Sequence, residues 1–147
     1  MKGDTRSVEI AFSGISSPGW KRRIAPFCRK ALRAAGYAQW DISLLLCDDA
    51  RMKELNAKYR GRDRTTDVLS FPRGEQTVAG DIAISLPAMR RNAASFGATE
   101  NEEMKRLLIH GILHVAGMDH GKGRSGPMLD LQESLVERLR AERVVTE

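Results

Sequence analysis

The sequence has little of what marks membrane, secreted or disulfide-stabilised proteins. No apolar run approaches the ~18 residues that a membrane-spanning helix needs, and the N-terminus lacks the apolar segment of a signal peptide. There are two cysteines, Cys28 and Cys47, too far apart in sequence to form a C-x-x-C pair. We therefore expect a cytoplasmic protein that does not associate with membranes, and two buried cysteines that act as small apolar residues.

The chain also lacks internal repeats, low-complexity tracts and a recognisable interdomain linker. Its length of 147 residues is close to the commonest domain size, and 41% hydrophobic with 29% charged residues is typical of a soluble globular protein. We therefore predict that residues 1–147 form a single domain.

Hydrophobic periodicity and turn residues predict the element order β-α-β-α-β-β-α-α-α. Strands come mainly first and helices last, which is typical of an α+β fold with a small mixed sheet of about four strands and about five helices. The five-residue spacer RGEQT between the third and fourth strands indicates an antiparallel hairpin. The predicted strands are 7–12, 40–47, 68–71 and 78–85, and the predicted helices are 17–36, 48–58, 86–96, 99–117 and 127–144.

Several local signals refine this prediction. Pro26 lies inside the first helical pattern, so that helix either begins late or kinks there. Gly80 marks a β-bulge or a close approach of another backbone. Thr99 and Glu102 fit a capping box at the start of the fourth helix. In the last helix, the inward candidates are Leu129, Leu135, Val136 and Leu139.

All three histidines of the chain lie in HGILHVAGMDH, residues 110–120. His110 and His114 are four residues apart on a predicted helix, so their rings project from one face about one turn apart. Gly117 can end this helix in a left-handed conformation, and the chain reversal would bring His120 back towards the other two. Three neutral imidazoles suit zinc with a fourth position left open, as in catalytic sites, although nickel and copper also fit.

The same spacing occurs in zinc proteases of the H-E-x-x-H type, whose glutamate is the general base. Gly111 occupies that position here and cannot transfer a proton, which disfavours proteolysis by that mechanism. A bound metal could instead polarise a phosphoryl oxygen, with an arginine stabilising the charge that develops in the transition state. Asp119 either orients a ligand imidazole or is simply a turn residue.

Positive charge is concentrated in one stretch of the chain. Lysines and arginines outnumber acidic residues by 24 to 19, and residues 51–64 alone contain six basic against two acidic side chains. Further basic pairs occur at Arg22-Arg23 and Arg90-Arg91. This density indicates contact with a phosphate-bearing partner.

Three motifs, in this order, resemble the signatures of the YbeY family of bacterial endoribonucleases: LNAKYRGRDRTTDVLSFP at 55–72, AGDIAIS at 79–85 and HGILHVAGMDH at 110–120. The resemblance implies an α+β domain whose metal lies in a cleft beside the sheet. It also implies a zinc-dependent endoribonuclease specific for single-stranded RNA. Such an enzyme would act in 16S ribosomal RNA 3′-end maturation and ribosome quality control, with the small ribosomal subunit and its assembly proteins as partners.

The resemblance also implies roles for individual residues. One zinc ion would be held by His110, His114 and His120. Arg60, in YRGRD, would act with His114 in catalysis by stabilising the charge of the scissile phosphate. The candidate contacts to the RNA backbone are Lys58, Arg62 and Arg64.

Other residues of these motifs allow two interpretations. Asp67 and Asp81 either position Arg60 or a water molecule, or are structural hydrogen-bonding groups. Ser70 and Phe71 are expected to be core or strand residues. Three positions depart from the family pattern without affecting a proposed ligand: Met118 replaces a common tyrosine, and Arg62 and Arg64 replace lysines.

Two alternative functions stay open at this point. The first is a non-catalytic ribosome-assembly factor, in which zinc only fixes a loop and the basic surface binds RNA. The second is a metzincin-like metalloprotease, which the histidine spacing alone allows and Gly111 disfavours.

Overall fold

The structure, a computed structural model, describes residues 8–72, 78–117 and 126–146. Within these residues, four strands form one sheet in the order β1-β2-β4-β3. β1, β2 and β4 run parallel, and β3 is antiparallel to β4. The predicted mixed sheet and the predicted antiparallel pairing are confirmed, although the connection between β3 and β4 lies outside the described residues. The strands are β1 (Val8–Ser13), β2 (Asp41–Cys47), β3 (Val68–Pro72) and β4 (Val78–Ser85).

Five α-helices and a short 3₁₀ helix at Lys21–Arg23 accompany the sheet in the described part of the chain. The α+β class and the order of elements agree with the prediction. The helices are α1 (Ile24–Ala35), α2 (Asp49–Arg60), α3 (Leu86–Phe96), α4 (Glu100–Val115) and α5 (Pro127–Arg138).

The main core lies between one face of the sheet and helices α1, α4 and α5. α4 occupies its centre, because it packs against β3, β4, α1, α3 and α5. A smaller cluster lies on the opposite face, under α2, and contains Cys47, Met52, Leu69 and Ala83. Covering both faces is what a largely parallel sheet requires, since both of its faces are apolar. Among the described residues, no helix is long and apolar enough to cross a membrane.

Both cysteines are buried and carry free thiols, as predicted. Burial raises the pKa of the Cys28 thiol to about 12. Burial, reinforced by the neighbouring Asp48, raises the pKa of Cys47 to about 11. Both thiols therefore stay protonated and unreactive at neutral pH, because the thiolate is the nucleophilic form.

The first helix begins later than 17, at Ile24, after the 3₁₀ helix. Pro26 therefore lies in the first turn, where its missing N–H costs nothing, because the N–H groups of that turn have no partner within the helix. Of the two possibilities that Pro26 allowed, the late start is the one observed.

The last helix ends at Arg138, so the predicted end at Val144 is wrong. The cause is a contact from α4. The buried Lys105 ammonium donates hydrogen bonds to the carbonyl oxygens of Leu139, Arg140 and Glu142, at 3.0, 2.9 and 2.9 Å. These acceptors satisfy all three ammonium donors and draw the chain away from a helical path.

The prediction of inward residues in the last helix is confirmed in part. Leu135 and Leu139 are buried and Val136 packs against the core, whereas Leu129 does not belong to it. Met128, Gln132 and Leu135 are buried, whereas Leu129 and Val136 are only half-buried. The buried positions are spaced by four and three residues, as expected for one helix face. A polar residue, Gln132, therefore occupies the middle of an apolar stripe.

Two backbone signals from the sequence are confirmed. Thr99 and Glu102 form the reciprocal capping box that begins α4. Gly80 has a φ of +151°, and a β-carbon there would collide with the backbone of Phe71 and Pro72 on β3. The pairing of β4 with β2 also shifts register beside Gly80, so both the close approach and the bulge are present.

Candidate functional site

Helix α4 presents His110 and His114 side by side on one face. Their ring centroids are 4.6 Å apart, with the ring planes inclined at 64°. The helix ends directly after them. Gly117 has a φ of +93°, and its N–H donates to the carbonyl oxygen of His114 at 2.9 Å. The predicted end of the helix at a left-handed glycine is therefore confirmed, and the two imidazoles lie in its last two turns.

Gln132 of α5 fixes the tautomer of His110. The Gln132 side-chain oxygen lies 2.8 Å from Nδ1 of His110, and the Gln132 amide nitrogen donates to the Glu133 carboxylate at 3.4 Å. An amide oxygen only accepts hydrogen bonds, so Nδ1 carries the proton, and in the neutral ring Nε2 carries the lone pair. A metal-binding histidine typically has this arrangement, in which one ring nitrogen donates to an oxygen and the other faces the ion.

The described donors fit part of a zinc site. Two imidazoles on one helix face, one with its tautomer fixed for coordination through Nε2, are a suitable donor pair. The third predicted ligand, His120, lies outside the described residues, as do Asp119 and Met118. Within the residues that the structure describes, no group of three metal-binding side chains comes together. The pair is therefore compatible with zinc, and the role of His120 as the third ligand stays a prediction.

Packing accounts for the glycine at position 111. A β-carbon built on Gly111 would lie 2.7 Å from Cγ2 of Ile82 on β4. The hydroxyl of Ser70 on β3 lies 3.4 Å from the Gly111 carbonyl oxygen, so the helix rests closely on both strands. A glutamate at this position would have to displace Ile82. Gly111 therefore argues against a protease-type site in two ways. It has no side chain that could act as a base, and the close packing of the helix on the sheet leaves no room for a glutamate at this position.

Arg60, the last residue of α2, reaches the edge of the sheet at β3. One guanidinium nitrogen donates to the carbonyl oxygen of Ser70, and the guanidinium carbon lies 5.0 Å from the centroid of the Phe71 ring. Gly61, with a φ of +69°, ends α2 immediately afterwards. These two contacts hold the cationic head in place. Most of its five N–H donors have no acceptor among the described residues and can serve another one.

The strand register explains why the Ser70 carbonyl accepts from Arg60. Ser85 N–H donates to the Asp67 carbonyl oxygen at 2.9 Å, which makes these two residues a hydrogen-bonded pair. Hydrogen-bonded and non-hydrogen-bonded pairs alternate along antiparallel strands, so Ser70 and Ile82 form a non-hydrogen-bonded pair. The Ser70 backbone groups then point away from β4, towards the edge that Arg60 covers.

Arg60, His110 and His114 line one cleft of about 400 Å³, together with Val68, Leu69 and Ser70 of β3. An adjoining depression of about 250 Å³ shares Arg60 and Leu69 with the cleft and adds Arg62 and Arg64. Lys58 lines neither; its ammonium lies 5.1 Å from the Tyr59 ring centroid. The structure thus brings three predicted site residues together, places two arginines beside them and leaves Lys58 further along α2.

Asp67 holds the start of β3 in place. Its carboxylate accepts hydrogen bonds from the Val68 N–H at 2.7 Å and from the Asn92 amide at 3.0 Å. The same amide nitrogen donates to Glu103 of α4 at 3.1 Å, and burial raises the pKa of Glu103. These contacts favour the structural interpretation of Asp67. Asp81 lines a different cavity, with Phe71 and Ala83, on the α2 side of the sheet.

Sequence reasoning missed Gln132 and Asn92, which support the site. No sequence pattern indicates the role of Asn92, because that role depends on two carboxylates, Asp67 and Glu103, from separate elements. Gln132 gave a weak signal: it falls four residues after Met128 and three before Leu135, as a polar residue in an apolar stripe. Choosing Leu129 instead of Met128 as an inward residue hid that signal.

Comparisons with known proteins agree with these motifs. The family model described as "Endoribonuclease YbeY" matches residues 11–140. A relative of that name from Treponema pallidum (strain Nichols) is 41% identical over 143 residues, covering 90% of this chain and 89% of the relative. Another from Aquifex aeolicus (strain VF5) is 42% identical over 107 residues, covering 70% and 71%. The solution structure of TM1509 from Thermotoga maritima matches with a TM-score of 0.62 at 31% identity, covering 90% of both chains. The chain therefore belongs to the endoribonuclease YbeY family.

Proposed function

We propose that this protein is a cytoplasmic, zinc-dependent endoribonuclease that cleaves single-stranded RNA. Its substrate would be ribosomal RNA, at the 3′ end of 16S RNA, on small ribosomal subunits that are being matured or checked for quality. The observation that supports the proposal is the cleft in which Arg60 lies with His110 and His114. A cation and a pair of metal-binding imidazoles in one cleft are suited to a phosphodiester substrate.

Each residue of the cleft has a defined task in this proposal. His110, His114 and His120 hold the ion, and Gln132 keeps the His110 ring in the orientation and tautomer required. When bound, zinc supplies Lewis-acid chemistry, since it polarises a phosphoryl oxygen and lowers the pKa of water to about 7. Arg60 donates hydrogen bonds to the phosphate oxygens as negative charge accumulates on them, and its contact with Ser70 fixes its position beforehand.

Arg62 and Arg64 extend the positive surface away from the reacting phosphate. They line the depression next to the cleft, where they can contact neighbouring phosphates of the same strand. Lys58 lies on the exposed side of α2, so we propose only a long-range electrostatic contribution for it. Contacts of this kind increase affinity without sequence preference and weaken as salt rises.

Proteolysis is the less favoured alternative, because Gly111 packs against Ile82 and supplies no base. The non-catalytic assembly role remains the main competitor, since a zinc-stabilised surface could bind RNA without cleaving it. Catalytic turnover of RNA distinguishes the two functions, because only the endoribonuclease cleaves the RNA that it binds.

The proposal predicts metal-dependent cleavage of single-stranded RNA. Purified protein should contain about one zinc per chain by elemental analysis, given the three histidines. Cleavage of a labelled single strand should stop on chelation and return when zinc is added, while a duplex of the same sequence stays intact. RNA binding without turnover at full zinc loading would instead favour the assembly role, and peptide cleavage would favour the protease.

Replacing Gln132 should weaken metal binding. Gln132→Leu removes the oxygen that accepts from His110, and we expect zinc affinity to fall about 10- to 100-fold, the usual cost of losing such a partner. Gln132→Glu keeps an acceptor and should bind zinc at least as tightly as the wild type. Competition with a chromogenic chelator measures both affinities. Ser134→Ala, an exposed change on the same helix, is the control. Equal affinities for Gln132→Leu and the wild type would show that this hydrogen bond does not support the site.

A further inference from the structure

A second basic surface lies away from the cleft, on the outer side of α1. Residues 21–33 carry six positive and no negative side chains, so their net charge of +6 exceeds the +4 that six basic and two acidic residues give to 51–64. We call this region, together with the C-terminal segment beside it, the α1 surface. Its exposed basic members are Lys21, Arg22, Arg23, Lys30, Arg33, Arg138, Arg140 and Arg143.

The α1 surface contains a groove of about 350 Å³ between the start of α1 and the C-terminal segment. Glu142, the one carboxylate among the described residues that line it, accepts from the Lys30 ammonium with both oxygens at 3.0 Å. Within the described part of the chain, no carboxylate makes an ion pair with Arg22, Arg23 or Arg143. Three guanidinium groups therefore face this groove without a carboxylate partner among the residues that the structure describes.

The α1 surface and the cleft are at opposite edges of the sheet. α1 packs beside β1, whereas Arg60 and the cleft lie at β3, and the strand order is β1-β2-β4-β3. Three strand spacings separate these edges by about 14 Å. A single phosphate cannot contact both regions, so the α1 surface is a separate site and does not extend the cleft.

We propose that the α1 surface binds the phosphate backbone of RNA at a second segment, several nucleotides from the bond that is cleaved. This inference rests on the proposed function, because it takes the partner in the cleft to be RNA. Arginine supplies six of these eight exposed cations, and its planar fork of donors matches phosphate oxygens. A membrane fits less well: the two large exposed apolar side chains in the described residues, Tyr59 and Phe96, lie on α2 and α3.

The test compares a long RNA with a short oligonucleotide that carries the same cleavage sequence. The double variant Arg22→Ala/Arg143→Ala removes two cations that have no described carboxylate partner, so its fold and its cleavage of the short oligonucleotide should not change. We expect its affinity for the long RNA to fall at least about tenfold at low salt. The salt dependence of that affinity should lose about 1.4 to 1.8 units of slope, since each phosphate contact contributes about 0.7 to 0.9.

The matched control is Arg51→Ala/Arg90→Ala, which removes the same charge from residues that pair with Glu54 and Glu100. Binding is measured by fluorescence anisotropy in the presence of a chelator, so the result does not depend on turnover. An equal preference for long over short RNA in both double variants would overturn the inference. An unchanged affinity of Arg22→Ala/Arg143→Ala for the long RNA would also overturn it. So would a variant that loses binding to anionic phosphatidylserine vesicles while it binds RNA as the wild type does. Failure of the proposed function would appear separately, as absent cleavage of the short oligonucleotide by the wild type.

Discussion

His114→Ala is expected to abolish metal-dependent cleavage of RNA. His114 lies in the last turn of α4 with its ring 4.6 Å from that of His110, and both line the cleft. Losing one of three ligands should cost more affinity than the roughly 10- to 100-fold cost of losing an outer hydrogen-bond partner. We therefore expect less than one zinc per chain after dialysis, and a cleavage rate reduced by at least about 10²-fold.

The fold should survive this substitution, because His114 is only half-buried and alanine favours a helix. Circular dichroism and thermal unfolding should match those of wild-type protein stripped of its metal, which is the appropriate reference. His110→Ala should behave in the same way, since the two imidazoles are expected to share one ion. If His114→Ala retained one tightly bound zinc and cleaved RNA at the wild-type rate, the ligand assignment would be wrong.

How much of the site the sequence could predict depends on how local each feature is. The pairing of His110 with His114 follows from the pitch of a helix. The start and the end of that helix follow from Thr99 and Gly117, and each of these signals acts only on residues a few positions away. Local rules suffice there. The hydrogen bond from His110 to Gln132 joins residues 22 apart. It depends on how α5 rotates against α4, and no periodicity specifies that rotation closely enough.

The errors at helix ends have the same origin. The apolar pattern of the last helix continues to Val144, yet α5 ends at Arg138 because Lys105 takes carbonyl oxygens beyond it. Asn101 then accepts from the Val144 and Val145 N–H groups, at 2.7 and 3.0 Å. Both partners belong to α4, more than thirty residues earlier. A tertiary contact overrides local helical propensity at this point.

Arg60 shows what a motif can and cannot predict. The resemblance selects this arginine from the six basic residues of 51–64 without showing what holds it. The structure shows what holds Arg60: the Ser70 carbonyl oxygen at the edge of β3 and the Phe71 ring both contact its guanidinium group. Arg62 and Arg64 have the same charge but do not line the cleft with the histidines. Position on the sheet edge, more than charge, distinguishes the proposed catalytic arginine.

This distinction leads to the prediction for Arg60→Ala. We expect kcat for single-stranded RNA to fall about 10²- to 10³-fold, the usual cost of removing one donor that stabilises transition-state charge. Arg60→Lys should recover only part of the rate, because an ammonium lacks the planar fork of donors. Zinc content should stay at the wild-type level, since Arg60 is not a proposed ligand. Single-turnover cleavage at saturating protein measures the rate of the chemical step.

Arg62→Ala is the matched control, because it removes an equal charge from the adjoining depression. It should raise KM and lower the salt dependence of binding by about 0.7 to 0.9 units of slope, with kcat nearly unchanged. Added guanidinium ion should restore part of the Arg60→Ala rate but none of the Arg62→Ala affinity, because only the first variant lacks a group at the reacting phosphate. A loss in Arg60→Ala confined to KM, or to thermal stability, would reduce Arg60 to a binding or structural residue. The charge stabilisation would then have to come from the histidine-bound ion alone.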